Sequence, residues 1–179
     1  VTRLALSAAL LGTATIVEAG CGPTQRPDGG QGPLPIGSSV PDLRATDHRG
    51  EKVSLTALIG KRVLVYFYPK DGTPGCTEEA CVLRDRWDRF EENDIVVLGV
   101  SGDDAASHQT FAEEHDLPFS LIPDPKLEWA QAFGVGTMAG MTARVSFLIG
   151  RDGKVAKVYE GVDPGVHADE VLADAKALP

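Results

Sequence analysis

The chain has little cysteine, three residues in 179, and they sit at 21, 76 and 81. A disulfide framework of the kind that staples small secreted domains is therefore absent. Stability must come from a hydrophobic core. There is no C-x-x-C pair, and no second cysteine pair to complete a zinc site. His48, His108, His115 and His167 are scattered along the sequence. Zinc normally takes four ligands, commonly from two Cys/His pairs, so no metal is expected. Copper delivery would want a shorter cysteine spacing and a well-placed histidine. No Lys/Arg-rich run and no stacked-aromatic pattern occurs. With 26 acidic against 17 basic residues and a formal charge of −9, nucleic-acid binding is excluded. No internal repeat is found.

Near the N-terminus, "LALSAALLGTATIV", residues 4–17, runs 14 residues without a charge. It is shorter than the roughly 20 residues needed to span a bilayer, but it fits the apolar core of a secretory signal, with Arg3 before it. Two processing readings stay open. Cleavage after Ala19, at the small-x-small "VEA", would leave Gly20 first. Alternatively "AGC" resembles the end of a bacterial lipobox, with Cys21 lipidated, although Glu18 stands where that motif usually has a Leu-like residue. An ordinary buried N-terminal helix is the bland alternative. The Gly- and Pro-dense stretch that follows, 22–41, offers almost nothing apolar to bury and reads as a linker. The expected organisation is thus a signal peptide over 1–20, a flexible linker over 21–38 and one domain over 39–179. That organisation implies a bacterial cell-envelope location, lipid-anchored if Cys21 is modified, and a cytoplasmic one if the segment is not a working signal.

Within the domain, strand-like and helix-like segments alternate. "RVLVYFY" (62–68) is a continuous apolar run, as for a strand covered on both faces. Ala80, Leu83, Trp87 and Phe90 then step by three and four with charges between them, predicting one amphipathic helix. "IVVLGV" (95–100) is a second buried strand, followed by a helix near 104–116. "FSLIPD" (119–124) reads as a short strand and 126–134 as a short helix ending at Gly134. "RVSFLIG" and "KVAKVYEG" flank Asp152-Gly153, a hairpin signal, and a last helix covers about 167–178. Trp87 and Trp129 fall on apolar helix faces and read as core. Parallel strands joined by helices and closed by an antiparallel hairpin predict an α/β fold, a thioredoxin-like three-layer α/β/α sandwich with a central mixed sheet.

The chemistry concentrates at "YPKDGTPGCTEEAC", 68–81. Cys76 falls at the first turn of the predicted helix, where unpaired amides and the positive dipole end favour a thiolate. Thr73 can turn its hydroxyl toward the same pocket, and Pro74 stiffens the turn. Five residues of helix give a rise of about 7.5 Å and point the two sulfurs to different faces. A disulfide needs its Cα atoms about 4.4–6.8 Å apart. Either the pair never bonds, or the first turns unwind so that Cys81 condenses with a Cys76 sulfenic acid. On these residues alone, a peroxide-reactive thiol, an envelope thiol–disulfide exchanger and a non-catalytic thioredoxin-like binding module all remain open.

"YFYPKDGTPGCTEEACVLRD" closely resembles the active-site segment of the bacterioferritin-comigratory/PrxQ subfamily of peroxiredoxins. Pro69, Thr73 and Cys76 meet its P-x-x-x-T-x-x-C pattern, and Cys81 meets its resolving position. "ARVSFLIGRDGKV" looks like the segment that carries the family's active-site arginine, here Arg144. The resemblance covers about 36–178. It implies a thiol-dependent peroxidase acting on hydrogen peroxide and organic hydroperoxides. Cys76 would be the peroxidatic thiol and Cys81 the resolving one, joined as a Cys76–Cys81 disulfide. Arg144 would stabilise the charge, and Thr73 would hydrogen-bond substrate and sulfur. Pro69 would shield the pocket, and amides around Gly75 would polarise the substrate. It further implies no cofactor, a thioredoxin-like or other dithiol reductant, and a monomer. Glu79 matches a commonly acidic or polar family position and reads here as a surface or capping carboxylate. The segment 134–143 lacks the bulky residues that many members have before the arginine.

Overall fold

The computed structural model describes residues 24–178. The apolar segment 4–17, both processing sites and Cys21 lie outside them. The described chain runs β1 (Arg44–Thr46), β2 (Lys52–Ser54), a 3-10 turn (Thr56–Leu58), β3 (Arg62–Phe67), α1 (Pro74–Asp85) and α2 (Trp87–Glu92). It continues through β4 (Ile95–Ser101), α3 (Ala105–Glu114), β5 (Ser120–Pro123), α4 (Glu128–Phe133), β6 (Thr137–Met138) and β7 (Met141–Thr142). It closes with β8 (Val145–Ile149), β9 (Val155–Glu160) and α5 (His167–Lys176). No helix among the described residues is long and apolar enough to cross a membrane.

Five strands form the central sheet in the order β5-β4-β3-β8-β9. β3, β4 and β5 are parallel, while β8 runs antiparallel to β3 and β9 antiparallel to β8. The expected α/β/α sandwich with a mixed sheet is what forms. Strand alternation divides the core in two. Leu64, Tyr66 and Tyr68 of the β3 run face one layer, with Ala80 and Leu83 of α1, Phe90 of α2, Phe111 of α3 and Val171 and Leu172 of α5. Val63, Val65 and Phe67 face the other, with Trp129 and Phe133 of α4 and Phe147 of β8. Trp129 is core as expected, whereas Trp87 is only partly buried against its layer.

Three departures from the sequence expectations have physical causes. The single helix expected across Ala80–Phe90 is two, because Arg86 leaves helical geometry (φ −108°, ψ 11°) and donates its N–H back to the Leu83 carbonyl at 3.3 Å, closing α1. The second departure concerns the stretch expected as a flexible linker over 21–38, which from Thr24 onward is laid against the domain. Arg26 is buried and donates from Nη1 to the carbonyls of Gln31, Gly32 and Pro33 at 3.2, 2.7 and 3.2 Å. Thr24 Oγ1 donates to the Val135 carbonyl, Leu34 N–H to Phe133, and Gly37 N–H to Val155. A guanidinium gathering carbonyls orders this segment together with the burial of Leu34 in the core, and a Gly- and Pro-dense composition conceals it. Gly134, at φ +69°, closes the contact: a Cβ there would stand 1.9 Å from the Gly32 carbonyl oxygen. Third, the two small hairpins β1–β2 and β6–β7 were not expected. The strands of β6–β7 are only two residues long and carry exposed Met138 and Met141.

Candidate active site

The sheet topology brings the two parts of the motif together. Phe67, at the end of β3, lies opposite Val145, at the start of β8. The loop after β3 and the residue before β8 therefore emerge at the same end of the sheet. One carries Pro69–Cys76, the other Arg144. Thr142 fastens this end by donating its hydroxyl to the Tyr68 carbonyl at 2.7 Å.

Thr73 is the N-cap of α1 with extended backbone (φ −77°, ψ 146°), and Pro74 takes the first helical position, where its missing N–H costs nothing. The first helical hydrogen bond runs from Thr77 N–H to the Thr73 carbonyl at 2.8 Å. The amides of Gly75 and Cys76 precede it, so they are free of helical partners at the positive end of the dipole. Cys76 is 1 % exposed. Arg144 Nη2 donates to its sulfur at 3.3 Å. Gly75 makes this approach available, since a Cβ there would stand 3.3 Å from the same nitrogen. Thr73 Oγ1 donates to the Lys70 carbonyl at 3.0 Å; its lone pairs remain available to accept from a ligand. Pro69 is half-buried at the start of the loop. Cys81 is half-buried on the same unbroken helix as Cys76, and both are free thiols.

Glu79 is the residue that the sequence reading misplaced. It is not a surface carboxylate: it is fully buried, and Arg144 Nη1 donates to its Oε2. Burial drives its carboxyl up to about 7 despite the opposing charge and hydrogen bond of Arg144. The signal was available in the spacing. Cys76, Glu79, Ala80 and Leu83 follow i, i+3, i+4, i+7 and share the inward face. Behind Glu79, His167 Nε2 lies 3.9 Å from Oε1 and 3.0 Å from Ser146 Oγ. Burial, with the nearby Arg144 charge, lowers the His167 imidazole to about 4, so it is neutral at pH 7. Tyr66 is buried alongside, its phenol pushed well above the ordinary range by burial and then by the charges of Glu79, Asp71 and Cys76. Its hydroxyl presses on Gly99 of β4, where a Cβ would stand 2.7 Å away.

A second group fixes the loop. The Asp71 carboxylate accepts from Tyr68 OH at 2.8 Å, Ser107 Oγ at 2.7 Å and His108 Nδ1 at 2.8 Å. Asp71 N–H donates to Asp103 Oδ2 at 2.9 Å, which also accepts from Ser101 Oγ at 2.7 Å. Burial alone would raise the Asp71 carboxyl, but the His108 hydrogen bond and charge, with Ser107 and Tyr68, hold it below its usual value. The loop is thereby tied to α3 and to the end of β4. Of the other histidines, His48 Nδ1 accepts from Leu121 N–H at 3.1 Å, and His115 packs edge-on against Phe111. Among the described residues, no group of three or more His, Cys, Asp or Glu side chains is placed to hold a metal.

Known proteins match this arrangement. The AhpC/TSA family description covers residues 36–158. Peroxiredoxin Bcp of Bacillus subtilis (strain 168) is 40 % identical over 152 residues, 81 % of this chain and 97 % of that protein. Peroxiredoxin Q, chloroplastic, of Gentiana triflora is 39 % identical over 142 residues, 76 % of this chain; the match spans 64 % of that relative, a little under two thirds of its length. In structure, peroxidoxin BcpB from Mycobacterium tuberculosis superposes with a TM-score of 0.76 at 32 % identity, covering 82 % of this chain and 99 % of the other. The bacterioferritin comigratory protein of Xanthomonas campestris gives 0.74 at 32 % identity, covering 80 % and 98 %. A buried cysteine at a helix N-terminus, faced by an arginine just before β8, thus sits in a chain whose sequence and fold agree on one assignment: it belongs to the AhpC/TSA family, as a thiol-dependent peroxidase of the peroxiredoxin Q/Bcp type.

Proposed function

We propose that Cys76 attacks the hydroperoxide and that Cys81 resolves the product. The observation that carries this reading is the Arg144 guanidinium 3.3 Å from a buried sulfur in the first turn of α1. Negative charge forms on the sulfur before attack and on the leaving oxygen during it, and a fixed guanidinium with free amides can receive both. The Cys76 thiolate bonds to the distal oxygen, the O–O bond breaks, and the alkoxide or hydroxide leaves and takes a proton. Cys76 is then a sulfenic acid. Cys81 displaces its hydroxyl as water and forms the Cys76–Cys81 disulfide, and a thioredoxin-like or other dithiol restores both thiols.

Resolution requires α1 to open. Both cysteines lie within Pro74–Asp85, and five helical residues separate them by about 7.5 Å along the axis. Hydrogen peroxide and organic hydroperoxides are the substrates we assign. The Xanthomonas campestris relative, studied for alkyl peroxide reduction, supports the organic class. One equivalent of hydrogen peroxide on the reduced protein, followed by peptide mass analysis, tests the division of labour. The expected product is a Cys76–Cys81 disulfide, and in Cys81→Ser a Cys76 sulfenic acid that dimedone captures. Capture on Cys81 in a Cys76→Ser variant would contradict it.

We further propose an exported, envelope-located protein, a reading that the apolar segment 4–17 and the "AGC" at 19–21 support, and a monomer. N-terminal mass analysis of native protein tests export: a diacylglyceryl-Cys21 or a free Gly20 terminus supports it, and retention of residues 1–20 contradicts it. Light scattering of purified protein tests the monomer.

A further inference from the structure

Cys76 and Glu79 stand one helical turn apart on the inward face of α1, and both are acids withdrawn from water, 1 % and 0 % exposed. One guanidinium serves both: Arg144 gives Nη1 to Glu79 Oε2 and Nη2 to Cys76 Sγ. Among the described residues the other groups facing Glu79 bring no second cation. From α5, His167 is neutral and its Nε2 is engaged with Ser146 Oγ of β8. From β3, Tyr66 keeps its phenol proton. Among the described residues Glu79 Oε1 has no hydrogen-bond partner, so a carboxylate here is only half satisfied. Two buried anions against one cation would leave an uncompensated charge in a low-dielectric site, an arrangement that like-charge repulsion and desolvation both oppose.

We infer that Cys76 and Glu79 carry one negative charge between them, shared across Arg144, so that Glu79 takes up a proton as the thiol ionises and releases it when the sulfur becomes a sulfenic acid. The inference rests on Cys76 being the reacting thiol. The pair keeps one proton: with it on the sulfur, Glu79 is the carboxylate. On ionisation the proton resides on Glu79, and Arg144 faces the thiolate alone. Attack forms the S–O bond and breaks the O–O bond. The sulfur, now carrying hydroxyl, has no charge. Glu79 returns to carboxylate, and the proton it loses balances the one that the leaving alkoxide gains. The sum is thiol plus hydroperoxide giving sulfenic acid plus alcohol, with Arg144 facing one anion at every stage. Glu79 acts through Arg144 and is a positioning residue for charge. Groups coupled in this way titrate as a pair.

The test reads the proton directly. Protein labelled with 13C at glutamate carboxyls is titrated by NMR, with the Glu79 signal assigned by its loss in Glu79→Gln. Three samples are compared: the reduced protein, the Cys76→Ser variant, and the Cys81→Ser variant after one equivalent of hydrogen peroxide. Removing the sulfur's charge, by substitution or as sulfenic acid, is expected to lower the pH at which Glu79 ionises by about one unit or more. The same midpoint in all three samples overturns the inference. Intact mass of the third sample keeps the two readings apart. A protein that gains no oxygen there contradicts the assignment of Cys76. A protein that gains it, with an unmoved Glu79 signal, contradicts only the shared charge.

Discussion

A Cβ on Gly75 would stand 3.3 Å from Arg144 Nη2, the nitrogen that itself lies 3.3 Å from Cys76 Sγ. The absent side chain at 75 therefore sets how closely the guanidinium can approach the sulfur. Gly75→Ala displaces the flexible end of Arg144 by a few tenths of an ångström. Since misplacement by about 1 Å can cost about 100-fold in rate, a loss of roughly three- to tenfold in the peroxide step is expected. The helix itself should not weaken, because alanine is the better helix former by up to about 1 kcal/mol. Stopped-flow kinetics together with thermal unfolding separate the two effects; a slower step with an unchanged or higher Tm is the expected pair.

Asp71 holds the loop that leads into the helix, and its removal has a different signature. Asp71→Ala leaves Tyr68 OH, Ser107 Oγ and His108 Nδ1 without their shared acceptor. Losing a buried acceptor costs about 1–3 kcal/mol, so urea unfolding should show a loss of that order, with Asp71→Asn intermediate. Because the folded protein holds the Asp71 carboxyl below its usual value, this stabilisation is present above the ordinary carboxylate range. It disappears as the pH falls through the carboxyl's folded value. At strongly acid pH, wild type and Asp71→Ala should therefore converge, which unfolding curves across acid pH check.

Two buried groups beneath the site give opposite pH slopes. His167 is lowered from 6.5 to about 4. The unfolded chain binds more protons between those values, so stability is full above 6.5 and falls as the pH drops toward 4. Glu79 is raised from 4.5 to about 7. There the folded state binds more protons, so stability is full below 4.5 and falls as the pH climbs to 7. In wild type the two slopes oppose one another across 4.5–6.5. His167→Gln should expose the Glu79 slope, with Tm falling from pH 4.5 to 7. Glu79→Gln should expose the His167 slope, with Tm rising over 4–6.5. Melting curves at several pH values read both.

Oxidation should leave a local mark. Because α1 is continuous through both cysteines, closing the disulfide must break helical hydrogen bonds between Pro74 and Cys81. Hydrogen exchange in the oxidised protein should quicken across 74–85, while β3 and β4, buried at the centre of the sheet, keep their protection. Equal protection of α1 in both redox forms would argue against helix opening.

The strands were legible because continuous apolar runs such as Val63–Tyr68 have few alternatives, and the helix start was legible from Thr73-Pro74-Gly75. Cys76 was found from its place at the first turn of the predicted helix, Arg144 through motif resemblance, and β3–β8 pairing explains why they meet. Glu79 was misread because a carboxylate among charged neighbours looks solvent-facing. Its spacing from Cys76 placed it on the inward face, but the cation that makes its burial tolerable, Arg144, lies 65 residues away. Asp71 and His108 escaped for the same reason, their partnership being set by how α3 packs. Residues 24–38 were read as a linker because their order comes mainly from Arg26 and backbone carbonyls, with Leu34 the one side chain buried in the core.

The most direct measurement is the second-order rate of hydrogen peroxide with reduced protein at neutral pH, followed by stopped flow in wild type, Cys81→Ser and Arg144→Ala. The account predicts a reaction far faster than that of free cysteine, the same first phase in Cys81→Ser with turnover by a dithiol abolished, and a loss of about 100-fold or more in Arg144→Ala. A wild-type rate no greater than that of free cysteine would contradict it.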